Sequence, residues 1–194
     1  MTVADLLDSH VCLFAPPAAP NTLFLDRDGG LNDAVIRDCE ISSPRHIGEF
    51  RMVEDIEALA DPAIRAAWNL VVLTNQPDLS RGVIDLPFLD EIHGRLRGKI
   101  PLSAVYVCPH QGSDHCSCRK PACGLVERFR KEHPRAVNKQ LLVGDRSSDK
   151  LCAEAAGIPF CLRLRDYNRE LASGSGYVLD SLWDLKALLS EGGL

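Results

Sequence analysis

No apolar run in this chain approaches the roughly 18 residues that a helical membrane span requires, so no such span is expected. The first 20 residues contain no lysine or arginine, and Asp5 and Asp8 interrupt their apolar stretches, which argues against a secretory signal. Basic residues are not in excess: 22 Lys and Arg face 27 Asp and Glu, and the net charge of −5 makes nucleic acid an unexpected partner. Internal repeats and long low-complexity segments are also missing. A cytoplasmic protein with reduced thiols is the expectation.

Eight cysteines are present, yet a disulfide framework does not follow. With 194 residues, 45% of them hydrophobic, the chain can bury a full core without covalent staples. Residues 1–20 end in Ala15-Pro16-Pro17-Ala18-Ala19-Pro20, a stiff spacer. They read as an N-terminal extension, with a short helix over Val3–Ser9, ahead of one domain spanning 21–194.

From residue 22 onward, short apolar runs alternate with segments of helical spacing. The runs Thr22–Leu25, Leu70–Thr74, Ala104–Val107, Gln140–Val143, Pro159–Leu162 and Tyr177–Leu179 suit strands buried on both faces of a parallel sheet. Met52–Ala67, Pro87–Arg97, Leu125–His133 and Asp149–Ala156 suit helices, and Ser181–Leu189 a closing amphipathic helix. The pattern predicts an α/β fold with a Rossmann-like, doubly wound parallel sheet. Ligands of such sheets sit outside the carboxyl ends of the strands. Three of the predicted strands end there in Asp26-Arg27-Asp28-Gly29, Thr74-Asn75-Gln76 and Gly144-Asp145.

Those residue types suit phosphoryl transfer. One carboxylate of the Asp26/Asp28 pair can attack phosphorus while the other handles protons. Asp26 and Asp145 can share Mg²⁺, a hard cation that accepts few carboxylates and keeps waters. Thr74 can donate to a phosphoryl oxygen, and Lys120 can neutralise its charge. Just before Lys120, Cys108, His110, Cys116 and Cys118 make a Cys-x-His-x5-Cys-x-Cys loop (108–118), a four-ligand set suited to structural Zn²⁺. His115 and Cys123 are alternative ligands; His110 is favoured because it pairs with Cys108 across one residue.

The segments FLDRDG, VVLTNQ, CRKP and LLVGDRSSD, in that order, resemble the haloacid-dehalogenase (HAD) superfamily, over about residues 22–165. The nearer resemblance is to its subfamily IIIA, small phosphatases without a large cap that act on heptose bisphosphate or histidinol phosphate. The resemblance implies Asp26 as nucleophile and Asp28 as general acid and then base. It implies Thr74 and Lys120 on the phosphoryl group, with Asn75 and Arg119 lining the substrate side. Asp26, Asp145 and the Asp28 carbonyl would hold Mg²⁺, and Asp149 would orient Lys120 or the metal's waters. A phosphorylated small metabolite, a sugar bisphosphate ahead of histidinol phosphate, is the implied substrate. The rival from another class is a catalytically weak, zinc-stabilised binding protein. Gly30 stands where the family usually has a threonine or other side chain and predicts a looser nucleophile loop, and Pro121-Ala122-Cys123-Gly124 replaces the Pro-x-Pro-Gly typical of the heptose branch.

Overall fold

The structure is a computed structural model that describes residues 9–190. The helix expected over Val3–Ser9 lies outside the described residues, save Ser9. In chain order the strands and α-helices are β1 (His10–Leu13), β2 (Asn21–Leu25), β3 (Val35–Arg37), β4 (Glu40–Ser42), α1 (Pro62–Ala67), β5 (Trp68–Asn75), α2 (Pro77–Ser80), α3 (Leu86–Arg97), β6 (Leu102–Cys108), α4 (Gly124–Glu132), β7 (Gln140–Gly144), α5 (Ser147–Ala156), β8 (Phe160–Arg163), β9 (Tyr177–Leu179) and α6 (Leu185–Ser190).

Seven strands form one sheet in the order β1-β6-β5-β2-β7-β8-β9, and β3-β4 is a separate hairpin. All pairings in the large sheet are parallel except that of β1 with β6. The chain winds outward from β2 to β5 and β6 on one side, then from β7 to β9 on the other. The switch between β2 and β7 is where such sheets open a crevice. Along β2, Leu23 and Leu25 join a core on the α3 side, while Phe24 joins a second core with α4 and α5 on the opposite face. There Phe24 meets Phe129 edge-on at 5.2 Å between ring centroids. Every buried strand therefore needs apolar residues on both faces, which explains their unbroken hydrophobic runs.

Four features differ from the sequence reading. His10–Leu13, placed in the extension, is an antiparallel edge strand of the sheet. The proline-rich stretch behind it is pinned to the domain by Asn69, whose Oδ1 accepts from the Ala18 and Ala19 amides at 2.9 and 3.1 Å. The single helix expected over Met52–Ala67 is instead a 3₁₀ turn, Ile56–Ala60, followed by α1. Pro62 forces the break: it disfavours helical backbone at Asp61, which sits at ψ 129° and caps α1 by accepting from the Ala63 amide at 2.8 Å. Ser181–Leu189 likewise splits into a 3₁₀ turn, Leu182–Asp184, and α6. The β3-β4 hairpin was not anticipated; its tip, Asp38-Cys39, has φ of 50° and 62°, without the Asn-Gly signal usual for such turns.

Candidate active site

β2, β5 and β7 are adjacent and parallel, so their carboxyl ends release the chain at one edge. A cavity of about 400 Å³ opens there, lined by Asp26, Asp28, Thr74, Asn75, Arg119, Lys120 and Asp149 among others. Two glycines let the loop after β2 fold this tightly. Gly29 has φ +90°, and a Cβ there would stand 2.2 Å from Asp145 Oδ2. A Cβ on Gly30 would stand 2.2 Å from the Asp26 carbonyl oxygen. Gly30 therefore does not loosen the loop after β2 as expected; the backbone is packed where a side chain would go.

Lys120 is the centre of the site's electrostatics. Its ammonium lies 2.5 Å from Asp26 Oδ1 and 2.6 Å from Asp149 Oδ1, and it donates to the Leu73 carbonyl at 2.8 Å. Asn75 holds the Lys120 backbone from both sides, donating to its carbonyl at 3.0 Å and accepting from its amide at 3.1 Å. Asn75, read as a substrate-side group, thus also positions the lysine. Burial acts to lower the Lys120 pKa, but Asp149 and Asp26 override it and hold the ammonium charged.

The carboxylates of Asp26, Asp145 and Asp149 converge, with one oxygen from each within 4.8 Å of the others, and all three residues are buried. Burial first, then the Asp149 charge, pushes Asp26 well above the usual carboxylate range against the pull of Lys120. Burial and Asp149 likewise push Asp145 up to about 6, although Tyr167 donates to its Oδ2 at 2.5 Å. Among the described residues no N–H or hydroxyl donor reaches the buried Asp145 Oδ1. Three carboxylates against one ammonium leave a net charge of −2 when all are ionised, which a divalent cation would balance.

Asp28 faces a different environment. Arg27, itself fully buried, grips it through Nη2 at 2.9 Å, while Asn32, Ser43 and Gln76 donate at 3.0, 2.8 and 2.7 Å. Burial alone would raise this carboxyl, but Arg27 and the three neutral donors hold it below its ordinary value. Gln76 also donates to Thr74 Oγ1 at 2.8 Å, tying Asp28 to the hydroxyl near the end of β5. Ser43, Gln76, Arg27 and Tyr167 were not singled out from sequence. Only Gln76 left a signal, as the last residue of the TNQ strand end.

Cys108, His110, Cys116 and Cys118 form a compact cluster beside this site. Cys118 Sγ is 3.2 Å from Cys108 Sγ and 3.6 Å from Cys116 Sγ, and His110 Nδ1 is 3.2 Å from Cys118 Sγ. A tetrahedral site with metal–sulfur bonds of about 2.3 Å has edges of about 3.6–3.8 Å, so these four donors need little movement to hold one ion. His115, the alternative ligand, is exposed and lies outside the cluster, as does Cys123. The loop leads directly into Arg119, which donates to the His110 carbonyl at 3.0 Å, and then into Lys120.

A mostly parallel sheet with Asp26, Thr74, Lys120 and Asp145 gathered at its carboxyl edge defines a class. The chain belongs to the HAD superfamily of hydrolases and is a phosphatase of that type. A HAD-hydrolase-like family model matches residues 117–185. Among curated proteins, the D-glycero-alpha-D-manno-heptose-1,7-bisphosphate 7-phosphatase of Mycobacterium bovis is 31% identical over 173 residues, 84% of this chain and 87% of that protein. The D-glycero-beta-D-manno-heptose-1,7-bisphosphate 7-phosphatase of Pseudomonas aeruginosa is 32% identical over 141 residues, 69% of this chain and 75% of that protein. Among solved structures, the D,D-heptose 1,7-bisphosphate phosphatase of Bordetella bronchiseptica, complexed with magnesium and phosphate, aligns with a TM-score of 0.75 at 27% identity, covering 88% of this chain and 99% of that one. No helix among the described residues is long and apolar enough to cross a membrane.

Proposed function

We propose that this phosphatase removes the 7-phosphate of a D-glycero-D-manno-heptose 1,7-bisphosphate through an aspartyl-phosphate on Asp26. The observation that carries the reading is the buried Asp26–Lys120 pair at the base of a cavity whose wall includes Arg37, Arg45, Arg81, Arg119 and Arg146. A nucleophile paired with a cation suits the transferred phosphate; Arg37, Arg45 and Arg81 are paired with Glu49 and Asp78, whereas Arg119 and Arg146 donate to backbone carbonyls and suit a second phosphate. The substrates in the names of the curated relatives agree with that chemistry.

An Asp26 oxygen attacks phosphorus while Asp28 gives its proton to the departing sugar oxygen. Asp28 then takes a proton from water, the water oxygen attacks the aspartyl-phosphate, and phosphate leaves with Asp26 restored. Lys120 and Thr74 stabilise the charge on the transferring oxygens throughout. The donors around Asp28 favour its ionised form, which suits the base half of the cycle, and the negative charge of the bound substrate would oppose them so that Asp28 carries the proton of the acid half. Asp26 and Asp145, with the Asp28 carbonyl, would hold Mg²⁺, which supplies charge neutralisation and orients the phosphate when bound. Cys108, His110, Cys116 and Cys118 would hold Zn²⁺, stiffening the loop that carries Arg119 and Lys120.

The test is phosphate release with Mg²⁺ from the α and β heptose 1,7-bisphosphates, histidinol phosphate and common nucleotides. One heptose anomer should give the highest kcat/KM. Faster turnover of histidinol phosphate would replace the substrate assignment, and no turnover of any phosphomonoester would favour a binding protein.

A further inference from the structure

His10, Cys12 and Asp90 bring a second set of unlike donors together, away from both clusters described above. Alternation along β1 sends His10 and Cys12 to the same side of the strand. That side faces α3, which supplies Asp90. Cys12 Sγ is 3.3 Å from His10 Nε2 and 3.5 Å from Asp90 Oδ1, and one donor atom from each residue lies within 4.8 Å of the others. The two elements are fastened where they meet. Cys12 and Phe14 pack on the α3-side core, and the Arg97 guanidinium lies over the Phe14 ring at 5.2 Å.

The arrangement is not that of a cysteine nucleophile. Asp90 touches the sulfur rather than the imidazole, so it opposes formation of the thiolate instead of orienting a base, and burial with Asp90 pushes the thiol up to about 11. A cation placed among the three groups reverses that opposition. Thiolate, imidazole and carboxylate ligands at about 2.3, 2.0 and 2.1 Å around a tetrahedral ion stand about 3.4–3.6 Å apart, close to the 3.3 and 3.5 Å from the Cys12 sulfur to His10 and Asp90.

We propose that His10, Cys12 and Asp90 form a second metal site that takes a borderline divalent cation such as Zn²⁺, with its fourth position open to water. A mixed nitrogen, sulfur and oxygen set selects zinc over magnesium. Asp90 is exposed, so the ion enters from solvent, and binding releases the Cys12 proton to water. The site is independent of the Cys108 loop, because Cys12 packs on the α3-side core and Cys108 belongs to the core on the opposite face. Its ion would cross-link the edge strand to α3 across 78 residues of chain.

The experiment is metal content of the untagged full chain after equilibration with micromolar Zn²⁺ and removal of free ion. Wild type should hold one more equivalent than Cys12→Ser or His10→Gln, and Asp90→Asn should bind that equivalent at least tenfold more weakly. Loaded with Co²⁺, wild type should gain sulfur-to-cobalt charge-transfer absorbance that Cys12→Ser reduces, while Cys118→Ser removes a separate contribution. Circular dichroism of His10→Gln checks that the edge change leaves the fold intact. Wild-type zinc content in all three variants, or the same cobalt absorbance with and without Cys12, would overturn the site.

Discussion

Replacing Lys120 by methionine tests whether this buried lysine holds the carboxylates together or merely sits among them. Methionine keeps most of the stem volume and removes the charge. The ammonium engages two carboxylates and a carbonyl, at 2.5, 2.6 and 2.8 Å, and Lys120 is 4% exposed. Removing one partner of a buried ion pair typically costs about 3–5 kcal/mol, because the other charge is left uncompensated. Here Asp26 can take a proton instead, so the loss should be near the lower bound at pH 5 and larger at pH 8. For a domain of this size it corresponds to a fall in Tm of about 6–20 °C. Asp149→Asn should recover part of it: the amide oxygen can still accept from the Arg146 amide, a bond now 3.0 Å long, while one negative charge disappears. The double variant should therefore be more stable than the sum of the single losses by about 1–3 kcal/mol. Urea unfolding in EDTA at both pH values measures all four corners of the cycle. A Lys120→Met protein within about 1 kcal/mol of wild type at pH 8, or strictly additive losses, would refute the reasoning.

Asp26→Asn should abolish turnover and accumulate no phosphoryl adduct, whereas Asp28→Asn should lose about 10²–10⁴-fold and accumulate adduct from a substrate with an acidic leaving group, as read by quench and intact mass. Cys118→Ser should lose zinc from the Cys108 loop and melt at lower temperature; unchanged zinc content and Tm would sink that assignment. For the metal-free protein, Asp145 has its folded pKa raised from 3.8 to about 6, so the native state holds its proton longer than the unfolded state. Stability should therefore fall as pH rises from about 4 to 6, by on the order of 3 kcal/mol from this group, and Mg²⁺ should flatten the slope. Urea midpoints across that range, with and without Mg²⁺, provide the check.

The strands that sequence reveals are those buried on both faces, because nothing but a continuous apolar run can fill such a position. Leu70–Thr74 and Gln140–Val143 were legible for that reason, each within two residues of the observed element. β1 was not, because an edge strand of four residues, followed by a proline-rich stretch, makes the same pattern as an extension. Pro62 marks the break in the sequence, but apolar spacing that runs on across Met52–Ala67 masks it. The backbone preference imposed at Asp61 outweighs it in the structure.

In the site, what sequence exposes is chemistry at strand ends, and what it hides is the support around each group. Asp26 and Asp28 look equivalent as an Asp-x-Asp pair. The structure makes them opposites: Asp26 stands among like charges with one shared ammonium, and Asp28 stands among donors alone. That division depends on Ser43, Gln76 and Asp149, which lie 15, 48 and 123 residues from their partners. Spacing arguments cannot reach such contacts: the large sheet brings in Gln76 after β5 and Asp149 after β7, on either side of β2, and Ser43 arrives after the β3-β4 hairpin. Arg27 is the instructive case. As the residue between two aspartates it carries no motif signal, yet it is fully buried and grips Asp28 while facing His93 Nε2 at 3.4 Å. Burial and the Arg27 charge push His93 down to about 3, so the imidazole is neutral and its Nε2 is free to accept from the guanidinium. α3 thus supports the Asp28 carboxylate through His93 and Arg27, although that helix begins 58 residues later in the chain.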